Sequence, residues 1–265
     1  MAILTLRPRS ATEIVDAAFQ ILRAHYGQFV MCAAIAYVPL LIVQLLVIGD
    51  LRRLLRGGAA DSVEAGQVML RASLQSFFAS WITFTLMSAV LMVCASQAYL
   101  GEQVDVGTAV RRALPRLPRI LVTGLIRFVY VMIGFMLFLF PVLYVVSQTF
   151  AVTAAVVLED VGIGRAFARS AELSMGRKWH ILNTLGLAGI IYLVLAIGVS
   201  LLFGLADNFV LQTLGGGVAT VMLYPVVAIT ETLLYYDARI QSEGLDIELM
   251  TGALGPDAPA PTPAR

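Results

Sequence analysis

Residues 124–140 read GLIRFVYVMIGFMLFLF, a run whose one charged side chain is Arg127. Comparable apolar runs extend from Gln28 to Ile48, Phe77 to Tyr99, Arg119 to Phe140, Val142 to Leu158, Ile181 to Leu205 and Leu214 to Tyr236. A helix rises about 1.5 Å per residue and a bilayer core is about 30 Å thick, so about 20 such residues cross it. With no water in hydrocarbon, each segment must satisfy its own backbone groups, and a helix does so. The expected fold is all-α: a polytopic integral membrane protein with six transmembrane helices. The 59% of hydrophobic residues, the 13% of charged ones and a mean hydropathy of +0.87 agree with that class. Only Pro141 separates the third and fourth runs. As one rod they would be about 60 Å long, so a hairpin is expected near Pro141, with Ser147, Gln148 and Thr149 as the alternative turn.

Charge placement gives an expected orientation. Thirteen of the eighteen Lys and Arg residues lie on the side of the N-terminus, against Arg52, Arg53, Arg56 and Arg71 opposite and Arg127 inside a span. By the positive-inside rule both termini are cytosolic, in a multi-pass protein of the cell inner (cytoplasmic) membrane. On the far side Gly49 to Ala72 reads as a polar loop, whereas the turns near Pro141 and Asp207 are minimal. The opening MAILTLRPRS is too poor in apolar residues for a cleavable signal, so insertion relies on the spans. A net charge of +1 offers no field for nucleic acid. Residues 1–250 read as one membrane domain, and the Pro- and Ala-rich stretch 251–265 as a disordered tail.

Ahead of the first span, SATEIVDAAFQILRAHYGQF places Ser10 and Glu13 at capping-box spacing. Glu13, Asp16, Gln20 and Arg23 then form a polar stripe, and Val15, Phe19, Leu22 and Tyr26 an apolar one. Such a helix lies on the cytosolic surface or packs under the bundle. Related segments precede the third span (106–119) and the fifth (161–179), which suggests three units of surface helix, span out and span back at 10–103, 104–160 and 161–240. The three surface helices would form a cytosolic collar. There Glu159, Asp160, Arg165, Arg169, Glu172, Asp237 and Arg239 form either an ion-pair network or a set of solvated charges.

Arg127 lies eight residues past Arg119, and Glu231 eight before Arg239, which gives the two charges matching depth. An Arg127–Glu231 pair joining the third and sixth spans is one expectation. In the other, Arg127 snorkels to headgroups while Glu231 stays protonated or bonds Thr230 or Thr232. Cys32 and Cys94 read as buried free thiols. His25 and His180 have no Cys, Asp or second His at ligand spacing and read as interfacial. Tyr99, Trp179, Tyr235 and Tyr236 read as interface anchors. GIGRAF at 162–167 lacks the third glycine of a dinucleotide fingerprint, and neither G-x-S-x-G nor a P-loop occurs. No cofactor, metal or catalytic residue is expected.

LTLRPRSATEIVDAAFQILRAHYGQF (4–29), VLEDVGIGRAFARSAELSMGRKWHIL (157–182) and LLYYDARIQSEGLDIEL (233–249) together resemble the bacterial and archaeal membrane proteins named after the membrane domain of glycerophosphoryl diester phosphodiesterase. Some members of that family carry a soluble catalytic barrel. No stretch outside the spans is long enough for one here, so the resemblance implies a multi-span inner-membrane protein and carries no catalytic residue. The expected role is a non-enzymatic membrane module whose basic collar contacts anionic membrane lipids, and protein partners or a second copy of the chain. A transporter or lipid-translocating protein using the intramembrane charges is the alternative. A membrane phosphodiesterase comes third.

Overall fold

A computed structural model describes residues 9–56, 62–137, 139–205 and 208–243, and their regular structure is helical throughout. The expectations for Arg7, Asp207 and the 251–265 tail lie outside the described residues. Six segments are long and apolar enough to cross a membrane: Tyr26–Gly49, Ala65–Tyr99, Val106–Leu137, Phe140–Leu158, Lys178–Gly204 and Val210–Glu243. The chain is a multi-span, all-α membrane protein.

Helix α1 (Ala11–Ala24) starts at the expected capping box. The Glu13 backbone N–H donates to Ser10 Oγ at 3.3 Å, and the Ser10 N–H to Glu13 Oε2 at 2.8 Å. Ile14, Val15, Ala18 and Leu22 are buried beneath the last two spans, so α1 packs under the bundle. Phe19 is only partly buried, and Tyr26 is 40% exposed at the start of the next helix. The chain then runs through α2 (Tyr26–Arg56) and α3 (Ser62–Tyr99). Much of the expected polar loop between Gly49 and Ala72 is therefore helix. Its leucines, arginines and glutamines are good helix formers, and they continue the hydrogen-bonded ladder beyond the apolar stretch.

Asp105 caps α4 (Val106–Ala113) by accepting from the Gly107 and Thr108 N–H groups at 3.2 and 2.9 Å. The Thr108 hydroxyl and backbone, followed by the Gly107 N–H, hold the Asp105 carboxyl below its usual range. A 3-10 turn over Leu114–Arg116 leads into α5 (Leu117–Leu137) without an intervening loop. Pro115 and Pro118 sit where a helix start lacks N–H partners in any case. The next span opens as α6 (Leu139–Gln148), with Pro141 in its first turn, so the hairpin falls where it was expected. A Cβ on Gly134 of α5 would lie 3.2 Å from Val142 N and 3.3 Å from Pro141 C, and only glycine leaves that approach relaxed. The span breaks after Gln148 and resumes as α7 (Val152–Leu158).

The chain closes with α8 (Ile163–Ser174), α9 (Lys178–Gly204) and α10 (Phe209–Glu243). A short helix thus precedes the first, third and fifth spans. Helices α3 and α10 hold the centre, where Ala33, Ala36, Ala89, Ala95, Ala154, Ala155 and Ala228 let backbones approach closely. By contrast α9 is apolar on all sides and only 6% of its most apolar window is buried, as a helix facing lipid requires.

Candidate functional site

Near mid-bundle three spans each turn one face inward. Helix α3 supplies Trp81, Phe84, Thr85 and Ser88; α5 supplies Gly124, Arg127, Phe128 and Val131; α10 supplies Tyr224 and Glu231. Each set follows the three-, four- and seven-residue spacing of a helical face. With Thr153 of α7 they line an open cavity of about 280 Å³. Arg127 and Glu231 therefore border the same space. They are not in ion-pair contact: among the described residues neither side chain makes a hydrogen bond or salt bridge, and the two border one space from different spans. The alternative partners for Glu231 are engaged elsewhere, because the Thr230 and Thr232 hydroxyls donate to Val226 O and Ala228 O, each at 2.8 Å. Arg127 is half-buried at the cavity wall.

A second cavity of about 510 Å³ lies farther from the collar, with Tyr37, Gln44, Ser76, Ser80, Tyr192 and Thr220 among its lining. Phe84 borders both cavities. Its ring lies 5.3 Å from that of Tyr224, which lies 6.2 Å from that of Tyr192, so three aromatic rings separate the charged cavity from the neutral one.

Below the charged cavity the collar residues divide into groups. Arg169 of α8 donates through Nε to both Glu159 oxygens, at 3.1 and 3.0 Å, and through Nη2 to Glu159 Oε1 at 3.0 Å. It also pairs with Glu243, which receives Arg239 Nε at 3.0 Å. Arg239 Nε lies 3.7 Å from Glu159 Oε1, and the Tyr235 hydroxyl donates to the same carboxylate. Two arginines and two glutamates thus balance at 15–26% side-chain exposure. The Glu243 and Glu159 carboxylates hold the Arg169 proton still more firmly than usual.

Asp160 stands apart at the α7–α8 turn, with φ of 55°, a left-handed conformation that Asp tolerates better than most side chains. Arg116 Nε and Arg119 Nη1 reach its Oδ1 at 2.9 Å each, and these guanidiniums lower its carboxyl pKa. Asp237 forms a third group: it accepts from the Arg9 backbone N–H at 3.1 Å and from Gln241 Nε2 at 2.7 Å, with His180 Nε2 at 3.6 Å. Both ends of the described chain therefore meet at one end of the bundle. Among the described residues Arg165 and Glu172 pair with each other alone, at 3.8 Å on the surface. The expected set is thus one compact network plus three separate clusters.

Other sequence expectations change. Tyr99, Tyr235 and Tyr236 are buried at 6%, 0% and 7%, and Trp179 alone of the four is exposed, at 71%. Tyr99 and Tyr236 stack at 4.8 Å, and Tyr236 and Ser96 share a 2.6 Å hydrogen bond. A tyrosine at a span end has the same sequence signature whether it faces headgroups or a partner helix. Cys32 and Cys94 are buried free thiols with sulfurs 3.1 Å apart. Glu243 and Tyr224 were legible in principle, the first four residues after Arg239 and the second seven before Glu231. Ser170 gives no such signal. It accepts from the Ala151 N–H at 3.0 Å and donates to Gln148 O at 2.8 Å, satisfying the backbone groups freed by the break in the fourth span. Among the described residues no group of three or more His, Cys, Asp or Glu could hold a metal ion. Arg9 meets Asp237, and Arg169 meets Glu243, at the same end of the bundle. Comparison with protein-family models, curated proteins and solved structures finds no match.

Proposed function

We propose that the chain is a transporter or lipid-translocating protein that admits a polar, charged group into its bundle. The observation that carries this reading is the cavity that Arg127 and Glu231 both line without contact. A mid-membrane arginine costs about 2.5–3.5 kcal/mol on insertion scales, and a direct ion pair would offset part of that cost. Two opposite charges kept apart around a space are better suited to meeting a third party. The second cavity across the aromatic partition extends the space along the bundle, and the break between α6 and α7 supplies the discontinuous span common at transport sites. Pro39 and Pro225 interrupt the ladders of two further spans beside Tyr37 and Tyr224. The reading includes an inner-membrane location, cytosolic termini and descent of the three helix triplets from one repeated unit. It includes the family resemblance without any catalytic step.

Exposed Arg23, Arg111 and Arg112 favour a second reading, a module that contacts anionic lipid through its collar. That reading loses Arg116, Arg119, Arg169 and Arg239, which face acids of the same chain.

The test is water access. Thr85→Cys places a thiol on the cavity wall, and Ala228→Cys places one in the packed core. In membranes a permanently charged methanethiosulfonate reagent should modify position 85 and leave position 228 untouched, as read by peptide mass. An unmodified position 85 that reacts after denaturation would overturn the transport reading.

A further inference from the structure

We propose that the charged cavity is a binding site for a zwitterionic group, one that joins a primary ammonium to a phosphate or carboxylate through a short linker. The inference rests on the transport reading and names its substrate class. A lone anion drawn to Arg127 would meet the repulsion of Glu231, and a lone cation drawn to Glu231 would meet that of Arg127. A zwitterion supplies both missing counter-charges at once and leaves the space electrically neutral, which matters where solvation by bulk water is poor.

The rest of the wall fits the same ligand. A guanidinium offers paired donors to phosphate or carboxylate oxygens. The Ser88 and Tyr224 hydroxyls add polar contacts on the α3 and α10 sides. Trp81 and Phe128 also line the space, and aromatic rings attract an ammonium. At about 280 Å³ the space lies at the small end of ligand cavities, enough for a headgroup and too small for a nucleotide. Such a zwitterion arrives either as the head of a phospholipid or as a free small molecule, and both present the same charges to the wall.

Binding is measured on the full chain by calorimetry in detergent with 2-aminoethyl methyl phosphate, a phosphodiester zwitterion, and with dimethyl phosphate and ethylamine as single-charge halves. In parallel, nanodiscs containing phosphatidylethanolamine or phosphatidylglycerol are solubilised, and the lipid retained by the protein is identified by native mass spectrometry. The proposal expects 2-aminoethyl methyl phosphate to bind at least tenfold tighter than either half, or phosphatidylethanolamine to be retained over phosphatidylglycerol. The first result identifies a free ligand and the second a lipid head.

Arg127→Gln and Glu231→Gln should each weaken this binding at least tenfold. A Cβ at Gly124 would lie 3.6 Å from Trp81 Nε1 and 3.7 Å from Thr85 Oγ1, so Gly124→Leu fills the space with both charges kept and should abolish binding. Binding of either single-charge half as tightly as the zwitterion, retention of neither lipid together with no binding of 2-aminoethyl methyl phosphate, or full binding by folded Gly124→Leu would each overturn the proposal. If position 85 is open to the charged reagent while no zwitterion binds, the transport reading stands and this inference fails.

Discussion

Arg169 shows how a single side chain can organise the collar. It holds Glu159 at the end of α7 and Glu243 at the end of α10, so α8 clamps two spans that are far apart in sequence. Truncating it to Ala would leave two carboxylates facing each other with Arg239 as their one remaining cation. Breaking a fully buried pair costs about 3–5 kcal/mol, and at 15% exposure for Arg169 we expect roughly 2–4 kcal/mol. Arg169→Lys keeps the charge and loses the fork that spans both acids, so it should recover only part of that loss. Thermal unfolding in detergent checks both, and an Arg169→Ala protein as stable as the parent would show that the network adds nothing. Which charges pair was only partly legible in the sequence. Glu159 and Arg169 lie ten residues apart on adjoining elements, whereas the joining of Arg116 to Asp160 depends on two spans returning to the same corner.

At the scale of elements, the fourth span is the informative one. Its break at 149–151 frees backbone groups within an apolar region, and the Ser170 hydroxyl answers two of them, as donor and as acceptor. Ser170→Ala should therefore cost about 1–3 kcal/mol, the range for leaving a buried polar group unmatched, and Ser170→Thr less. The measurement is the unfolding midpoint together with amide exchange at Ala151, which should quicken in the Ala variant and stay protected if the break is held by other means. Span positions were readable because hydrocarbon thickness imposes a length on any crossing helix. The turn at Pro141 was readable because proline cannot continue a ladder. The break at 149–151 appeared only as an alternative turn, since Ser, Gln and Thr are compatible with helix and loop alike. Residues 49–56 and 62–72 were misread as loop, because polarity beyond the apolar stretch marks an exit from lipid and does not mark the end of a helix.

Across the whole molecule, polar and apolar surfaces are arranged as lipid demands. Leu201, Leu202, Met136 and Phe135 stand 66%, 71%, 87% and 69% exposed, a girdle that water would not tolerate, while serines, threonines, Arg127 and Glu231 turn inward. Helices α3 and α10 connect the parts of this arrangement. Both line the two cavities, α10 also ends in the Glu243 network, and the N–H of Arg9 fastens the start of the described chain to Asp237 beside it. The inward-facing charges are the feature on which the functional account depends. A density map of the chain in nanodiscs, resolved well enough to place side chains, tests them most directly. The account predicts Arg127 and Glu231 on opposite walls of one space, with density for water or a small polar group between them. A closed guanidinium–carboxylate pair with no space around it, or Arg127 extended toward the headgroups, would contradict it.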